Sequence, residues 1–533
     1  MNSPRVRPWL LAALIPFLAC STPLGQLGEV AEETDGDGGN GTVPPVSERT
    51  TIINMGDRAI DILFVVDNSG SMGFRQRQLT ESLNRGIPAV QDARGADLRI
   101  GFTTTDNGNP WCQGTGPEAG SLVSSSCRSR LSEFVFDGIT TVDDTQVSCL
   151  DLCERETIEL ASTATHLDSQ SRRRPWIEIS PAGTNLVDAT LEEAIECMSP
   201  MGISGCGFES PLESMRKAIL RSDSPSDEMY GFLRPWAHLL VVFVTDELDC
   251  SSDDAWEEIF WPEGNRVFWG DSSDPSPTSA VCWNAGVQCE NTEGDLGACN
   301  PQNYDVDGNV TDAAGAVMRS LTHFIEGLQA VEAGKAAYRP EDSVSIALVA
   351  GVPPGYGEGQ TEIRYTRFGD DPDFVYNFGV DASCTTKDVG GAVPPVRLRT
   401  IAELFAPRQG RNISTICGND YFDSDVLLDA LEDERTGCLP GCLEADATPD
   451  VCDVVLSRAV SGQRVESLLP ACQDGVAPDG ADACFVLHAD PDSAAMCGDG
   501  SNALLEVVLA AGATVQGQWT VDVACDLADA SAC

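Results

Sequence analysis

The apolar run Ile60-Asp61-Ile62-Leu63-Phe64-Val65-Val66 stops at Asp67-Asn68-Ser69-Gly70-Ser71. A run of this length and composition reads as a buried strand. A carboxylate and two hydroxyls at its end are costly there, because buried polar groups need partners. Oxygen-only donors of this kind suit a hard divalent cation such as Mg²⁺. The plainer role for Asp67 is to cap the following helix. A second run, His238 to Thr245, is continuously apolar, as a central parallel strand should be, and it ends at Asp246. A third, Val344 to Val349, also reads as a buried strand.

Between these runs the pattern alternates. Asp97 to Thr105 and the short Trp176 to Ile179 read as strands. Phe74–Ala93, Asn185–Met198, a segment opened by Ser210-Pro211-Leu212-Glu213, Ala313–Ala333, Ile401–Phe405 and Asp423–Glu434 read as helices. Ser210 and Glu213 have the spacing of a capping box. Alternating strands and helices imply an α/β sheet. Two irregular insertions interrupt it. Residues of about 107–175 carry Cys112, Cys127, Cys149 and Cys153, and residues of about 247–311 carry Cys250, Cys282, Cys289 and Cys299. Val306 to Val310 reads as a tight hairpin turn. After residue 437 the character changes to eight cysteines with strand-like alternation in Leu504–Leu509 and Val515–Val523. The expected organisation is a body at 51–436 and a small cysteine-rich β module at 437–533.

The N-terminus reads as an export signal at 1–20: Arg5 and Arg7, then an apolar stretch from Trp9 to Ala19 too short to span a bilayer. Residues 21–50 form an acidic, Gly-rich tether with no apolar periodicity. Of the 21 cysteines, removing Cys20 leaves an even number, as a disulfide-bonded exported chain requires. Twelve precede the C-terminal module and eight lie in it, so pairing within each part is possible. The charge balance, 33 Lys+Arg against 83 Asp+Glu for a net −50, repels nucleic acid and anionic lipid. Four histidines, none spaced for zinc, argue against a structural zinc site.

Asp67-Asn68-Ser69-Gly70-Ser71 behind one strand and Val244-Thr245-Asp246 behind another resemble the metal-ion-dependent adhesion site of von Willebrand factor A (VWA) domains. Gly205-Cys206-Gly207-Phe208-Glu209, Phe243 to Glu247 and Ser414-Thr415-Ile416-Cys417 resemble VWA lipoproteins of large-genome bacteria such as myxobacteria. The resemblance implies a doubly wound, Rossmann-like, mostly parallel sheet with disulfide-bearing insertions. It implies Asp67, Ser69, Ser71 and Asp246 as ligands of Mg²⁺, or of Ca²⁺ or Mn²⁺. A third loop should supply a Thr. Thr184, in Pro181-Ala182-Gly183-Thr184-Asn185, has the residue type, and Glu209 has the spacing to the next strand. Asp106, Glu247 and Asp249 would support the ligands from behind or line the rim, with solvated loop charges as the plainer role for Glu247 and Asp249. The implied function is protein binding or adhesion, with an acidic side chain of a partner protein completing the coordination; a structural or assembly component with a purely structural ion is the alternative, and a metal-assisted hydrolase the third. Phe17-Leu18-Ala19-Cys20 resembles a bacterial lipobox. That implies a lipid on Cys20 as the sole membrane attachment and residence at the outer membrane or cell surface. Ordinary cleavage with free secretion is the alternative.

Little points to catalysis. There is no Gly-x-Ser-x-Gly, no His-Glu-x-x-His and no phosphate loop. Ser214-Met215-Arg216-Lys217 formally fits Ser-x-x-Lys but lies in an amphipathic helix. No catalytic residue is assigned.

Overall fold

The computed structural model describes residues 49–525 apart from 57–58, 95–96, 113, 139–140, 181–182, 337–342, 370, 408–410, 422–435, 444–450, 461–462, 474, 479, 490–496, 498–500 and 511–517. The expected signal peptide with Cys20, nearly all of the expected tether, and the helix expected at 423–434 lie outside the described residues. The chain divides into two compact units. One is Ile53–Gly437 with Ala513–Gln518, and the other is Met1–Ile52 with Cys438–Gly512 and Trp519–Cys533.

The described chain opens with β1 (Thr50–Gly56). The larger unit continues with β2 (Ala59–Val66), α1 (Gly73–Arg94), β3 (Asp97–Thr104), β4 (Val135–Asp137), β5 (Thr141–Asp143), β6 (Ile177–Ser180), β7 (Gly183–Thr184), α2 (Leu191–Met198) and α3 (Pro211–Ser222). It goes on with β8 (His238–Val244), α4 (Leu321–Lys335), β9 (Val344–Ala350), β10 (Cys384–Thr386), β11 (Gly390–Ala392), α5 (Val396–Leu404) and β12 (Ile413–Thr415). Seven strands form one sheet in the order β12-β9-β8-β2-β3-β6-β7. The first five are parallel, whereas β6 runs antiparallel to β3 and β7 antiparallel to β6.

The apolar runs explain the middle of this sheet. Every residue of β2, β8 and β9 is buried. Successive side chains point to opposite faces, so an unbroken apolar run needs cover on both. On one face Ile62, Phe64 and Val66 pack with Leu79 and Leu83 of α1 and Ile195 of α2. On the other Leu63, Val65 and Phe243 pack with Met215 of α3, Phe324 of α4 and Ile401 of α5. Full burial of each such side chain contributes about 1.5–3 kcal/mol. Phe64 also stacks on Phe102, with ring centroids 5.0 Å apart.

The expected fold class is corrected. A VWA-type doubly wound sheet with irregular insertions and one C-terminal β module does not describe this molecule. The large sheet is mixed, and six smaller sheets accompany it among the described residues. Four of these are two-stranded antiparallel ribbons: β4 with β5, β10 with β11, Glu159–Leu160 with Leu186–Val187, and Val287–Cys289 with Cys299–Pro301. Strands of two or three residues carry too few side chains for an alternation to register, so they read as loop. The helix expected from Asn185 starts only at Leu191, capped by Thr190 and Glu193 in a reciprocal capping box.

The smaller unit contains β13 (Cys452–Val460), β14 (Gln463–Leu468), β15 (Ala483–His488), β16 (Leu504–Leu509) and β17 (Gln518–Cys525). Its described residues form two sheets. β1 joins β17, β13 and β14 in one, while β16 lies between β15 and Thr436–Cys438 in the other. Arg49, placed by sequence in the tether, forms a 2.9 Å ion pair with Glu466.

Nine disulfides are described. Six are in the larger unit: Cys112–Cys206, Cys127–Cys149, Cys153–Cys197, Cys250–Cys282, Cys289–Cys299 and Cys384–Cys417. Cys438–Cys497, Cys452–Cys525 and Cys472–Cys484 follow, and Cys442 is also disulfide-bonded. Each described pair stays within its part of the chain, as the even counts allowed. Disulfides at this density belong to an oxidising, extracytoplasmic or surface setting. Among the described residues no helix is long and apolar enough to cross a membrane.

Candidate functional site

Register places the carboxyl ends of three parallel strands side by side. Val66 is opposite both Val244 and Thr104, so Asp67, Asp246 and Asp106 leave the sheet at one end. In an open sheet of this kind, ligands gather outside the carboxyl ends of the strands. Backbone bonds continue the alignment past the strands: Asp67 N–H donates to Val244 O at 2.9 Å, and Thr105 N–H to Val66 O at 3.2 Å.

Asp67 is fully buried, and its carboxylate is held at both oxygens. Ser69 N–H donates to Oδ1 at 2.7 Å, and the Thr245 hydroxyl donates to Oδ2 at 2.6 Å. The Ser69 and Ser71 hydroxyls lie 3.2 Å apart, and Ser71 donates to Asp246 Oδ1 at 3.1 Å. Ser71 is exposed, whereas Asp67, Ser69 and Asp246 are buried. The cluster therefore has a wet edge and a dry floor.

Glu209 reaches the same end of the sheet on its own loop. Gly205 N–H donates to Asn68 O at 2.9 Å, and Cys206 N–H to Asp106 Oδ2 at 3.2 Å. The Cys112–Cys206 disulfide and the Ser210 N–H···O Thr105 bond of 2.9 Å complete the attachment. A Cβ at Gly205 would stand 2.2 Å from Asn68 Oδ1, so any other residue would have to displace the Asn68 side chain. The Glu209 carboxylate accepts from the Thr105 hydroxyl through Oε2, while Oε1 is buried with no hydrogen-bond partner.

The electrostatics match this geometry. Glu209 is held well above the usual carboxylate range, first by burial and then by the charges of Asp67 and Glu247. Glu247 is raised likewise by burial and Asp67, with Arg75 opposing. Asp67 is raised by burial against the bonds from Thr245 and Ser69. Several carboxyl groups thus compete for too little positive charge.

The predicted residues are sorted accordingly. Asp67, Ser69, Ser71, Asp246 and Glu209 share one end of the sheet. Thr184 does not join them. Ile179 pairs with both Leu98 and Thr184, which puts Thr184 at the amino end of β3, opposite Asp106. Thr184 is exposed and donates to Glu178 O at 2.8 Å. It caps no helix either; Thr190 does that. The antiparallel turn of β6 is what carries it away. Asp106 is buried and holds the Glu209 loop from behind, one of the two places expected for it. Asp249 is not on a rim: it forms a buried 2.8 Å ion pair with Arg397 and accepts from Leu212 N–H at 3.4 Å. Together with the Ser251 hydroxyl, which accepts from Glu213 N–H at 3.1 Å, it serves the first turn of α3. Ser210, expected to do so, makes no side-chain cap bond.

Four participants were not expected from sequence: Thr105, Thr245, Gln76 and Arg75. The buried Gln76 donates to Asp67 O at 2.8 Å and Gly202 O at 2.7 Å. Arg75, fully buried, forms an ion pair with Asp246 and donates to Gly390 O at 3.2 Å and Gly391 O at 3.1 Å. One signal was available for Arg75: a cation in the first turn of a helix opposes the helix dipole and needs a local reason.

The donor set fits a hard cation in type. Its carboxylates and hydroxyls are oxygen ligands, and the orphaned Glu209 Oε1 lacks a positive partner. Among the described residues no three His, Cys, Asp or Glu side chains are disposed to hold a metal ion. A cation here would therefore rest on hydroxyls as much as on carboxylates.

No family model and no curated protein matches this chain. Among solved structures it is similar to the pilus adhesin RrgA from Streptococcus pneumoniae. The identity is 9% and the TM-score 0.24, over 92% of this chain and 60% of that one. It is also similar to three N-terminal domains of the type V pili tip protein Mfa5 from Porphyromonas gingivalis. There the identity is 10% and the TM-score 0.24, over 90% of this chain and 63% of that one. The chain thus spans less than two thirds of each of these two structures. Likeness at this level carries no functional argument. None of these matches points to a VWA domain.

Proposed function

We propose that this chain is a surface binding protein in which Ser69, Ser71, Glu209 and Asp246 hold one divalent cation, Mg²⁺ or alternatively Ca²⁺ or Mn²⁺, with Asp67, already bonded at both oxygens, reaching it through water. Glu209 Oε1 carries the reading: a buried carboxylate oxygen with no partner, in the field of Asp67, is stable only when a proton or a cation neutralises it. A bound cation would supply that charge and offer a coordination position to an oxygen of a partner protein. The exposure of Ser71 supports access from outside. An acidic side chain of the partner is the group proposed to enter there. Glu247, half-buried beside Asp67, opposes a second anion there. A lipid on Cys20 would hold this surface at the cell envelope. The reading assigns no catalytic step.

A purely structural cation is the second reading. The bonds from Thr105 and Thr245 favour it, because they lace the two acidic loops into the sheet whether or not a partner arrives.

Titration calorimetry with Mg²⁺, Mn²⁺ and Ca²⁺ on the whole protein tests the cation. Capture from envelope extract with and without chelator, beside Asp67→Ala, tests the partner. Cation binding with chelator-insensitive capture would leave only the structural reading. No cation binding at all would remove both.

A further inference from the structure

Arg75 forms a buried ion pair with Asp246. The guanidinium has three attachments: the Asp246 carboxylate, Gly390 O and Gly391 O. Its Nε and Nη1 are buried with no hydrogen-bond partner, the Asp246 contact of Nη1 being an ion pair only, so the group is under-coordinated where it sits. Gly390 and Gly391 begin β11, the second strand of the ribbon β10–β11.

That ribbon is fastened at its base and free at its tip. Val393 N–H donates to Asp246 O at 2.9 Å, and Cys384 is bonded to Cys417 beyond β12. At the tip Lys387 and Asp388 have side chains 93% and 85% exposed, with Asp388 in the left-handed region at φ 65°. Arg75 is thus a tie from the acidic cluster to the second strand of a ribbon whose base, at Cys384 and Ala392, is buried and whose tip is exposed.

We infer that Arg75 is a built-in counter-ion that competes with the divalent cation for Asp246 and reports its occupancy to the β10–β11 ribbon. This rests on the cation reading proposed above. Asp246 presents two oxygens: Ser71 donates to Oδ1, and Arg75 engages Oδ2. A cation on the Ser69–Ser71–Asp246 side draws the carboxylate's charge away from the guanidinium. The like charges of cation and Arg75 then repel in a poorly solvated site. The guanidinium has two carbonyls of the ribbon to follow, and those bonds loosen or shift with it. The protein without cation stays folded because Arg75 supplies the missing charge. With cation, the ribbon beside the site changes its mobility.

Two measurements on the full chain test this. Hydrogen exchange of residues 384–392 in the unsubstituted protein should change at least three-fold on saturation with Mn²⁺, while amides of β2 and β8 stay protected. This arm needs no variant to fold. In the second arm, Arg75→Met should bind Mn²⁺ at least ten-fold more tightly by calorimetry, and its ribbon should no longer respond. Arg75→Lys keeps the charge without the fork. It should retain near-native affinity and lose the ribbon response. Wild-type binding with an unresponsive ribbon, and equal affinity in Arg75→Met, would overturn the inference and leave the cation site intact. Absence of binding in all three proteins would instead overturn the cation reading.

Discussion

Glu209→Gln separates charge from shape at the buried end of the site. Gln keeps an oxygen to accept from the Thr105 hydroxyl and places an amide where Oε1 now lacks a partner. Two opposite effects follow. Without cation, burial beside Asp67 and Glu247 holds Glu209 as the acid, which must take up a proton on folding at neutral pH; the amide needs none, so the variant is more stable by about 1–3 kcal/mol. With cation, losing a charged ligand weakens binding by about 2–3 kcal/mol, roughly 30–150-fold. In a unit of the length Ile53–Gly437, about 2 kcal/mol moves Tm by roughly 2–3 °C. Calorimetric titration with Mn²⁺ reads the affinity, and scanning calorimetry in chelator reads the stability. The expected pattern is a variant more stable than wild type in chelator and less stable in saturating cation. A variant that binds Mn²⁺ like wild type, or is destabilised in chelator, would refute the assignment of Glu209 as the charge that demands a cation.

Three further outcomes are expected. Asp67, Glu209 and Glu247 all have raised pKa values, from ordinary values of 3.8 for Asp and 4.5 for Glu, so the folded state binds more protons than the unfolded one above that range. Stability of the cation-free protein therefore falls as pH rises from about 4.5 toward neutrality; Tm against pH in chelator shows the decline, and saturating cation abolishes it. Replacing both Cys112 and Cys206 with Ala frees the Glu209 loop, costs about 2–5 kcal/mol in chemical denaturation and weakens Mn²⁺ binding. Thr184→Ala leaves Mn²⁺ affinity within two-fold of wild type, because Thr184 lies at the other end of the sheet; a ten-fold loss would contradict that placement.

What was local in the chain could be read from the chain. An unbroken apolar run can only be a strand covered on both faces, so β2, β8 and β9 were legible to within a residue. Asp67 and Asp246 follow directly, since a residue just past a strand end goes where the strand delivers it. Even the choice between Thr184 and Glu209 was half visible, as spacing favoured Glu209. Tertiary structure decided the rest. The antiparallel direction of β6 sends Thr184 to the wrong end of the sheet, and direction is a property of pairing with β3 that the four residues of β6 do not encode. Asp249 and Ser251 displace Ser210 at the start of α3 because a distant loop packs there and brings Arg397 with it. Arg75, Gln76, Thr105 and Thr245 acquire their roles from neighbours between 9 and 316 positions away, or from one end of a strand meeting another. The short ribbons, and β1 joining a sheet with strands some 400 residues later, escaped for the same reason. Periodicity reports how one segment meets solvent and core, whereas long-range pairing is settled by which partner buries it best.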